Sequence, residues 1–167
     1  MEQVCKNYFH SPVGTIEIIC EDGAILSVQF AGDGVEPYRK SNPANSCNAC
    51  GNACAAALEC MRQLDEYFEG KRKEFSLNIK LRGTDFQKKV WTALLEIPYG
   101  HTSSYGEIAA KVGNKKAARA VGNANNRNPV SIIVPCHRVI GSDGSLSGYG
   151  GGSWRKKWLL EHERKNM

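Results

Sequence analysis

The sequence has no apolar run approaching the ~18–20 residues that a membrane-spanning helix needs. Its start, Met1-Glu2-Gln3-Val4-Cys5, has neither the basic segment nor the apolar core of a secretory leader. The expectation is a soluble, intracellular protein. Histidine is scarce: the four are His10, His101, His137 and His162. Apolar residues are not scarce. They make up 41% of the chain, and the 17 glycines bring it to an ordinary globular composition, which excludes disorder of the whole. A length of 167 residues allows one large or two small domains and excludes a large multidomain machine. Seven cysteines is an odd number, so at least one thiol stays unpaired. In a reducing compartment the default leaves all seven unpaired.

Acidic residues thin out along the chain. Residues 1–80 hold 8 Lys/Arg against 11 Asp/Glu, a net of −3. Residues 81–167 hold 14 against 6, a net of +8, including Arg119, Arg127 and Arg138. A basic half of this strength fits contact with a polyanion, and equally a basic solvated face.

The first thirty residues read as a three-stranded meander. Ser11-Pro12-Val13-Gly14 and Glu21-Asp22-Gly23 are turn signals, and Thr15–Ile19 and Ala24–Phe30 are strand-like. Residues 31–49 read as a surface loop. Ala57, Met61, Leu64, Tyr67 and Phe68 mark an amphipathic helix over about 53–69, ending at Gly70. Phe75–Leu81 is a candidate further strand. The domain boundary falls near Arg82-Gly83-Thr84, giving domains 1–82 and 83–167.

Beyond the boundary the pattern is helical. Thr84 or Asp85 can cap a helix carrying Phe86, Val90, Trp91, Leu94 and Leu95. Ser103 or Ser104 can cap the next, through Val112. After the Gly113-Asn114 turn, Lys115–Asn125 forms a third, and the pair resembles a helix-turn-helix. The second helix of that pair lacks the polar side chains that usually read base edges. Its Lys116-Ala117-Ala118-Arg119-Ala120-Val121-Gly122 is mostly small, which suits contact by shape. Arg119 stands alone among the alanines.

In Asn128–Ile140, the apolar run Ile132-Ile133-Val134 leads into Pro135, which halts regular structure, and then into Cys136. A free thiol is only a few per cent thiolate at neutral pH unless a base assists. His137 is the candidate base. Neighbours in an extended chain point to opposite sides, so a bridging water is expected in place of a direct bond. The last helix, capped by Ser153, offers an inward stripe of Trp158, Leu159 and His162, with Glu163 on or beside it. A carboxylate facing a core needs a partner, and His137 could be it.

Val134-Pro135-Cys136-His137-Arg138-Val139 resembles the active-site signature of the O6-alkylguanine-DNA alkyltransferases, the methylated-DNA–protein-cysteine methyltransferases. Gly83-Thr84-Asp85-Phe86, Ile97-Pro98-Tyr99-Gly100, Tyr105-Gly106-Glu107-Ile108-Ala109, Ala117–Gly122, Asn128-Pro129, Gly148-Tyr149 and Trp158-Leu159-Leu160 follow in family order. The resemblance covers about residues 83–163, and residues 1–80 match more loosely. It implies an α+β protein: a small ribonuclease H-like N-terminal α/β domain with an antiparallel sheet plus helix, and a mainly helical C-terminal domain with a helix-turn-helix. It implies single-turnover, irreversible repair of O6-methylguanine, and of O4-methylthymine, in double-stranded DNA. Cys136 is then the alkyl acceptor, His137 its base through a water, and Glu163 the orienting group. Asn128 would hold the connecting turn and Tyr105 would assist the departing guanine. Val139, Tyr149 and Gly150 would line the base pocket with the Cys136 backbone. Arg119 would fill the gap left by the flipped base. Ala117, Ala118, Arg127 and Ser142 would be further DNA contacts, in the minor groove. A monomer without cofactor and without membrane contact is expected.

Some members of that family hold a structural zinc with two cysteines and two histidines. Cys5 and Cys20 could echo the thiols, but of the histidines only His10 lies in that domain. Cys47, Cys50, Cys54 and Cys60 form a second cluster. Because Cys50, Cys54 and Ala57 share a helical face, core packing accounts for them, and no metal is expected. Two other readings are a non-enzymatic helix-turn-helix binder or damage sensor, and a cysteine hydrolase. The first does not use Cys136, and the second leaves the basic half unexplained.

Overall fold

The computed structural model describes residues 4–32, 52–146 and 148–167, with side chains from residue 55 onward in the second of these stretches. The 31–49 loop, Cys47, Cys50 and the Cys54 side chain therefore fall wholly or largely outside the described residues. The chain divides into two compact units, Met1–Leu81 and Arg82–Met167. No helix among the described residues is long and apolar enough to cross a membrane.

The first unit is an antiparallel meander of β1 (Val4–Ser11), β2 (Gly14–Glu21) and β3 (Ala24–Phe30), in that order. The second turn needs left-handed backbone at two positions, and Asp22 (φ 47°) and Gly23 (φ 80°) supply it, as hairpin turns require. Alternation puts Ile16, Ile18 and Cys20 on the buried face. Helix α1 (Asn52–Phe68) covers that face with Ala57, Cys60, Leu64 and Tyr67. The candidate strand at 75–81 is not one. It makes a single parallel bridge, Ile79 to Ile25, held by Ile25 N–H to Asn78 O (2.8 Å) and Lys80 N–H to Ile25 O (2.9 Å). The pairing stops there, so the segment stays irregular.

Cys5 lies opposite Cys20 in the β1–β2 register and is disulfide-bonded. The expectation that all seven thiols stay unpaired fails because proximity in the fold governs pairing. Cys20 and Cys60 are buried thiols. Burial, with Cys20 nearby, pushes the Cys60 thiol up to about 12, so it is inert. Among the described residues no cluster of three or more His, Cys, Asp or Glu could hold a metal.

The second unit packs α2 (Asp85–Leu94), α3 (Tyr105–Lys111) and α4 (Ala118–Asn126) together around Trp91, Leu94, Ile108 and Val121. The Trp91 indole donates to Ala124 O (2.8 Å), tying α2 to α4 inside the core. Capping boxes start two of these helices: Thr84 with Gln87 for α2, and Ser104 with Glu107 for α3. Helix α4 begins later than Lys115. Asn114 accepts from Lys116 N–H (3.1 Å) and Ala117 N–H (3.0 Å), and this local turn competes with helix. The last helix, α5, is Ser153–Lys165. Ser153 does not cap it. Gly152 occupies the cap position at φ 91° without a side-chain bond.

A two-stranded parallel sheet was not legible in the sequence. β4 (Ser103–Ser104) pairs with β5 (Val139–Ile140), and β4 runs directly into α3. This pairing fixes Tyr105, the first residue of α3, beside the Cys136 turn. Replacing Thr84 with Ala removes the α2 cap and should cost about 1 kcal/mol in urea unfolding, with the secondary structure unchanged by circular dichroism.

Candidate active site

Cys136 opens a 3₁₀ turn, Cys136–Arg138, that follows Pro135. The chain here is turned, so the extended-neighbour argument does not apply. Asn128 sets up the turn from the preceding loop. Its amide donates to Val134 O (2.8 Å) and Val130 O (3.3 Å), and its carbonyl accepts from Val130 N–H (3.0 Å). These bonds hold Ile132 at φ 72°, a strained conformation for a β-branched residue. Asn125 of α4 adds a hydrogen bond to Cys136 O (3.2 Å).

The centre of the site is Glu163. Helix α5 points Lys156, Leu159 and Glu163 into the interior, three and four residues apart. The carboxylate accepts from His137 Nε2 (2.7 Å), Arg138 Nε (2.9 Å), Arg138 Nη2 (2.9 Å) and Gly100 N–H (3.2 Å). Burial alone would raise this acid, but the His137 and Arg138 partners outweigh it and hold the carboxyl well below the usual carboxylate range. An ionised Glu163 makes Nε2 the protonated nitrogen of a neutral imidazole. Burial keeps that imidazole neutral, moving His137 below its ordinary value despite the carboxylate. Nδ1 is then left as a buried acceptor with no hydrogen-bond partner among the described residues.

Cys136 is 3% exposed. Burial pushes its thiol up, while the Asn128 side chain and the Lys156 charge pull the other way. Around it gather Tyr105 and Tyr149, both raised first by burial and then by the nearby sulfur. Val139 is buried beside this turn.

The predicted residues divide into groups. Cys136, His137, Glu163 and Asn128 come together in the interior. Tyr105, Ala118 and Arg119 line an open groove of about 370 Å³ with Gly122, Asn123, Asn126 and Gly148. Gly150 lies at its edge, where an added side chain would come within 3.2 Å of Asn126 O. Arg119 is exposed there. Ala117, Arg127 and Ser142 do not line this groove.

Sequence reasoning misplaced one residue and missed another. Arg138 is not part of a basic surface: it is 6% exposed, and it grips Glu163 and Ile97 O (2.7 Å). A bidentate guanidinium fits a buried carboxylate better than it fits water. Lys156 went unnoticed, although its spacing from Leu159 and Glu163 was the available signal.

Replacing Arg138 with Met should destabilise the protein by about 3–5 kcal/mol in urea, as expected when one partner of a buried pair is removed. Adding Glu163→Gln should recover part of that loss. The pH response has one sign. Glu163 and His137 both have folded values below their unfolded ones, so the unfolded state binds more protons as pH falls. Stability should decline first below about 6.5 through His137 and then below about 4.3 through Glu163. In melting experiments, His137→Gln should flatten the first decline.

Comparison with known proteins gives the family. Residues 85–165 match the family model described as 6-O-methylguanine DNA methyltransferase, DNA binding domain. Residues 4–81 match the one described as 6-O-methylguanine DNA methyltransferase, ribonuclease-like domain. The methylated-DNA–protein-cysteine methyltransferase of Mycobacterium leprae is 49% identical over 158 residues, covering 94% of this chain and 90% of the relative. The crystal structure of the Mycobacterium tuberculosis O6-methylguanine methyltransferase superposes with a TM-score of 0.81 at 44% identity, over 98% of this chain and 94% of that one. A structure of the M. tuberculosis protein in complex with DNA gives 0.80 at 45% identity, over 96% and 93%. The chain belongs to the methylated-DNA–protein-cysteine methyltransferase family.

Proposed function

We propose that this chain takes the alkyl group from O6 of guanine in double-stranded DNA and keeps it irreversibly on Cys136. The observation that carries this reading is the buried set of Cys136, His137 and Glu163. Glu163 fixes the protonated nitrogen of His137, which leaves Nδ1 free as a base beside the thiol turn. A proton passes from Cys136 to Nδ1 through a water. The thiolate attacks the alkyl carbon, the carbon–sulfur bond forms and the carbon–O6 bond breaks. The electron pair leaves on guanine, which takes up one proton, so the net change is thiol to thioether and O6-alkylguanine to guanine. No cofactor is needed for this balance.

A stacked base hides its alkyl carbon, so the nucleotide flips out of the duplex. The groove at Tyr105 and Gly148, continuing to Tyr149, Gly150 and the Val139 backbone, receives it. Tyr105 assists the departing guanine. Arg119 projects from the exposed side of α4 and fills the gap in the stack. The small side chains at Ala117 and Ala118 let the start of α4 approach the minor groove closely. Arg127 and Ser142 would add contacts at its margins. O4-methylthymine presents the same alkyl–oxygen bond and falls in the same substrate class. The chain acts as a monomer inside the cell, with residues 1–82 as scaffold and 83–167 as the DNA-docking and acceptor domain.

Incubation with duplex DNA carrying labelled O6-methylguanine should transfer one methyl group per chain, found on the Cys136 peptide by mass spectrometry. Repeated turnover, or transfer that survives Cys136→Ala, would refute the assignment. Arg119→Ala should slow repair of duplex DNA at least tenfold while leaving reaction with a free O6-alkylguanine base within about twofold (a factor of ten being ~1.4 kcal/mol of barrier). Equal slowing of both would remove the wedge role.

A further inference from the structure

The strap Gly148-Tyr149-Gly150-Gly151-Gly152 leads into α5, and four of its five residues are glycine. Glycine loses more backbone freedom on ordering than any other residue, so such a strap keeps one shape only where it is tied down. Its inner side lies tight against α3 and α4. A β-carbon at Gly148 would come within 3.2 Å of the Tyr105 hydroxyl, and one at Gly150 within 3.2 Å of Asn126 O and Oδ1. Tyr149, between them, is buried.

The ties come from the first turn of α5. Arg155 Nη1 donates to Gly151 O (2.9 Å). That carbonyl lies just outside the helical ladder, which opens with Lys156 N–H to Gly152 O (3.2 Å). The guanidinium lies over the Trp154 ring, 4.6 Å from its centre. The edge of the same indole faces the next residue of the strap: a β-carbon at Gly152 would sit 3.5 Å from Trp154 Cδ1. Arg155 and Trp154 thus grip consecutive residues. The Arg155 charge also reaches Tyr149, where it opposes the rise that burial gives the phenol.

Helix formation does not call for this arginine. The first turn of α5 holds Arg155 and no acid, and the helix dipole disfavours a cation there. Trp154 is exposed, so core packing does not call for the indole either. What the two side chains share is the strap.

We propose that Arg155, braced by Trp154, latches the strap as a positioning residue that seats Tyr149 and the Gly148–Gly150 backbone in the wall of the base pocket, and that this seating makes the pocket favour a small O6 substituent. The proposal rests on the reading of the groove at Tyr105 and Gly148 as the base pocket. With the latch in place, the strap backbone stands close to Tyr105 and Asn126, and a methyl group needs no more room. Without it, the strap shifts outward. A methyl-bearing base then loses the wall it packs on, whereas a longer alkyl chain gains the space the strap vacates. Arg155 touches no reacting atom, so formation of the carbon–sulfur bond is unaffected.

Hydrogen–deuterium exchange of the whole chain, without substrate, tests the latch. In Arg155→Met the amides of the 148–152 peptide should exchange about tenfold faster or more. Arg155→Lys still offers a donor to one carbonyl and should stay within about threefold of wild type. The 136–140 peptide should not change. An unchanged strap, or equally faster exchange of both peptides, would overturn the latch.

The pocket role is read from the concentration dependence of Cys136 alkylation by free O6-methylguanine and free O6-butylguanine. Arg155→Met should raise the half-saturating concentration of the methyl base about fivefold or more and leave the maximal rate within about twofold. The butyl base should weaken by less than about twofold, so the preference for methyl narrows. A fall in the maximal rate alone, equal weakening of both bases, or no change in either would overturn the size selection. If mass spectrometry finds the alkyl group on another residue, the acceptor assignment fails, and the exchange data still decide the latch.

Discussion

A single buried carboxylate organises the second unit. Glu163 is fully buried and accepts four hydrogen bonds, from the backbone of Gly100 and from the His137 and Arg138 side chains of the 3₁₀ turn. A charge in that position is tolerable only when every lone pair is answered. That requirement locks α5, the Cys136 turn and the segment after α2 into one arrangement. It also fixes the chemistry, because an anion on one side of His137 leaves the opposite nitrogen as a base. The same contact that holds the site together therefore makes the imidazole useful.

Around Cys136, the proposed acceptor, the structure leaves polar atoms unpaired where a core would satisfy them. His137 Nδ1, Tyr149 Oη, Asn125 Oδ1 and Lys156 Nζ are buried without hydrogen-bond partners among the described residues. Each contacts Cys136, adjoins it in the chain, or bears on it electrostatically. Buried orphans of this kind are rare and tend to mark function. Cys60 is the counterexample within the same chain. It is as deeply buried as Cys136, but the neighbouring Cys20 and Glu59 both raise it further. Burial alone therefore does not distinguish a reactive thiol from an inert one. The neighbours do.

The sequence was informative where chemistry is local. The Asp22-Gly23 turn and the caps of α2 and α3 depend on residues a few positions apart; the sequence offered two candidates for each cap, and Thr84 and Ser104 are the ones used. The stripe on α5 was legible only in part: Leu159 and Glu163 face the interior, whereas Trp158 and His162, expected there too, are half-buried and stack on each other with ring centres 4.9 Å apart. Where two local signals competed, the reading slipped. Lys115–Ala117 looked helical by composition, yet the Asn114 side chain captured the backbone first. Ser153 looked like a cap, yet Gly152 holds that position.

The sequence by itself singled out the set proposed as reactive: a cysteine after a proline, an adjoining histidine, and an acid on or beside the inward face of the last helix. It could not determine where Arg138 and Lys156 point. Both belong to the basic half by composition, and both are buried. Only the tertiary structure decided this, because the partners that make their burial possible lie far along the chain: Glu163 and Ile97 for Arg138, and Cys136, Tyr105 and Tyr149 for Lys156. The parallel pairing of β4 with β5 and the disulfide of Cys5 have the same origin. Long-range proximity is set by how the whole core packs, and no local spacing encodes it.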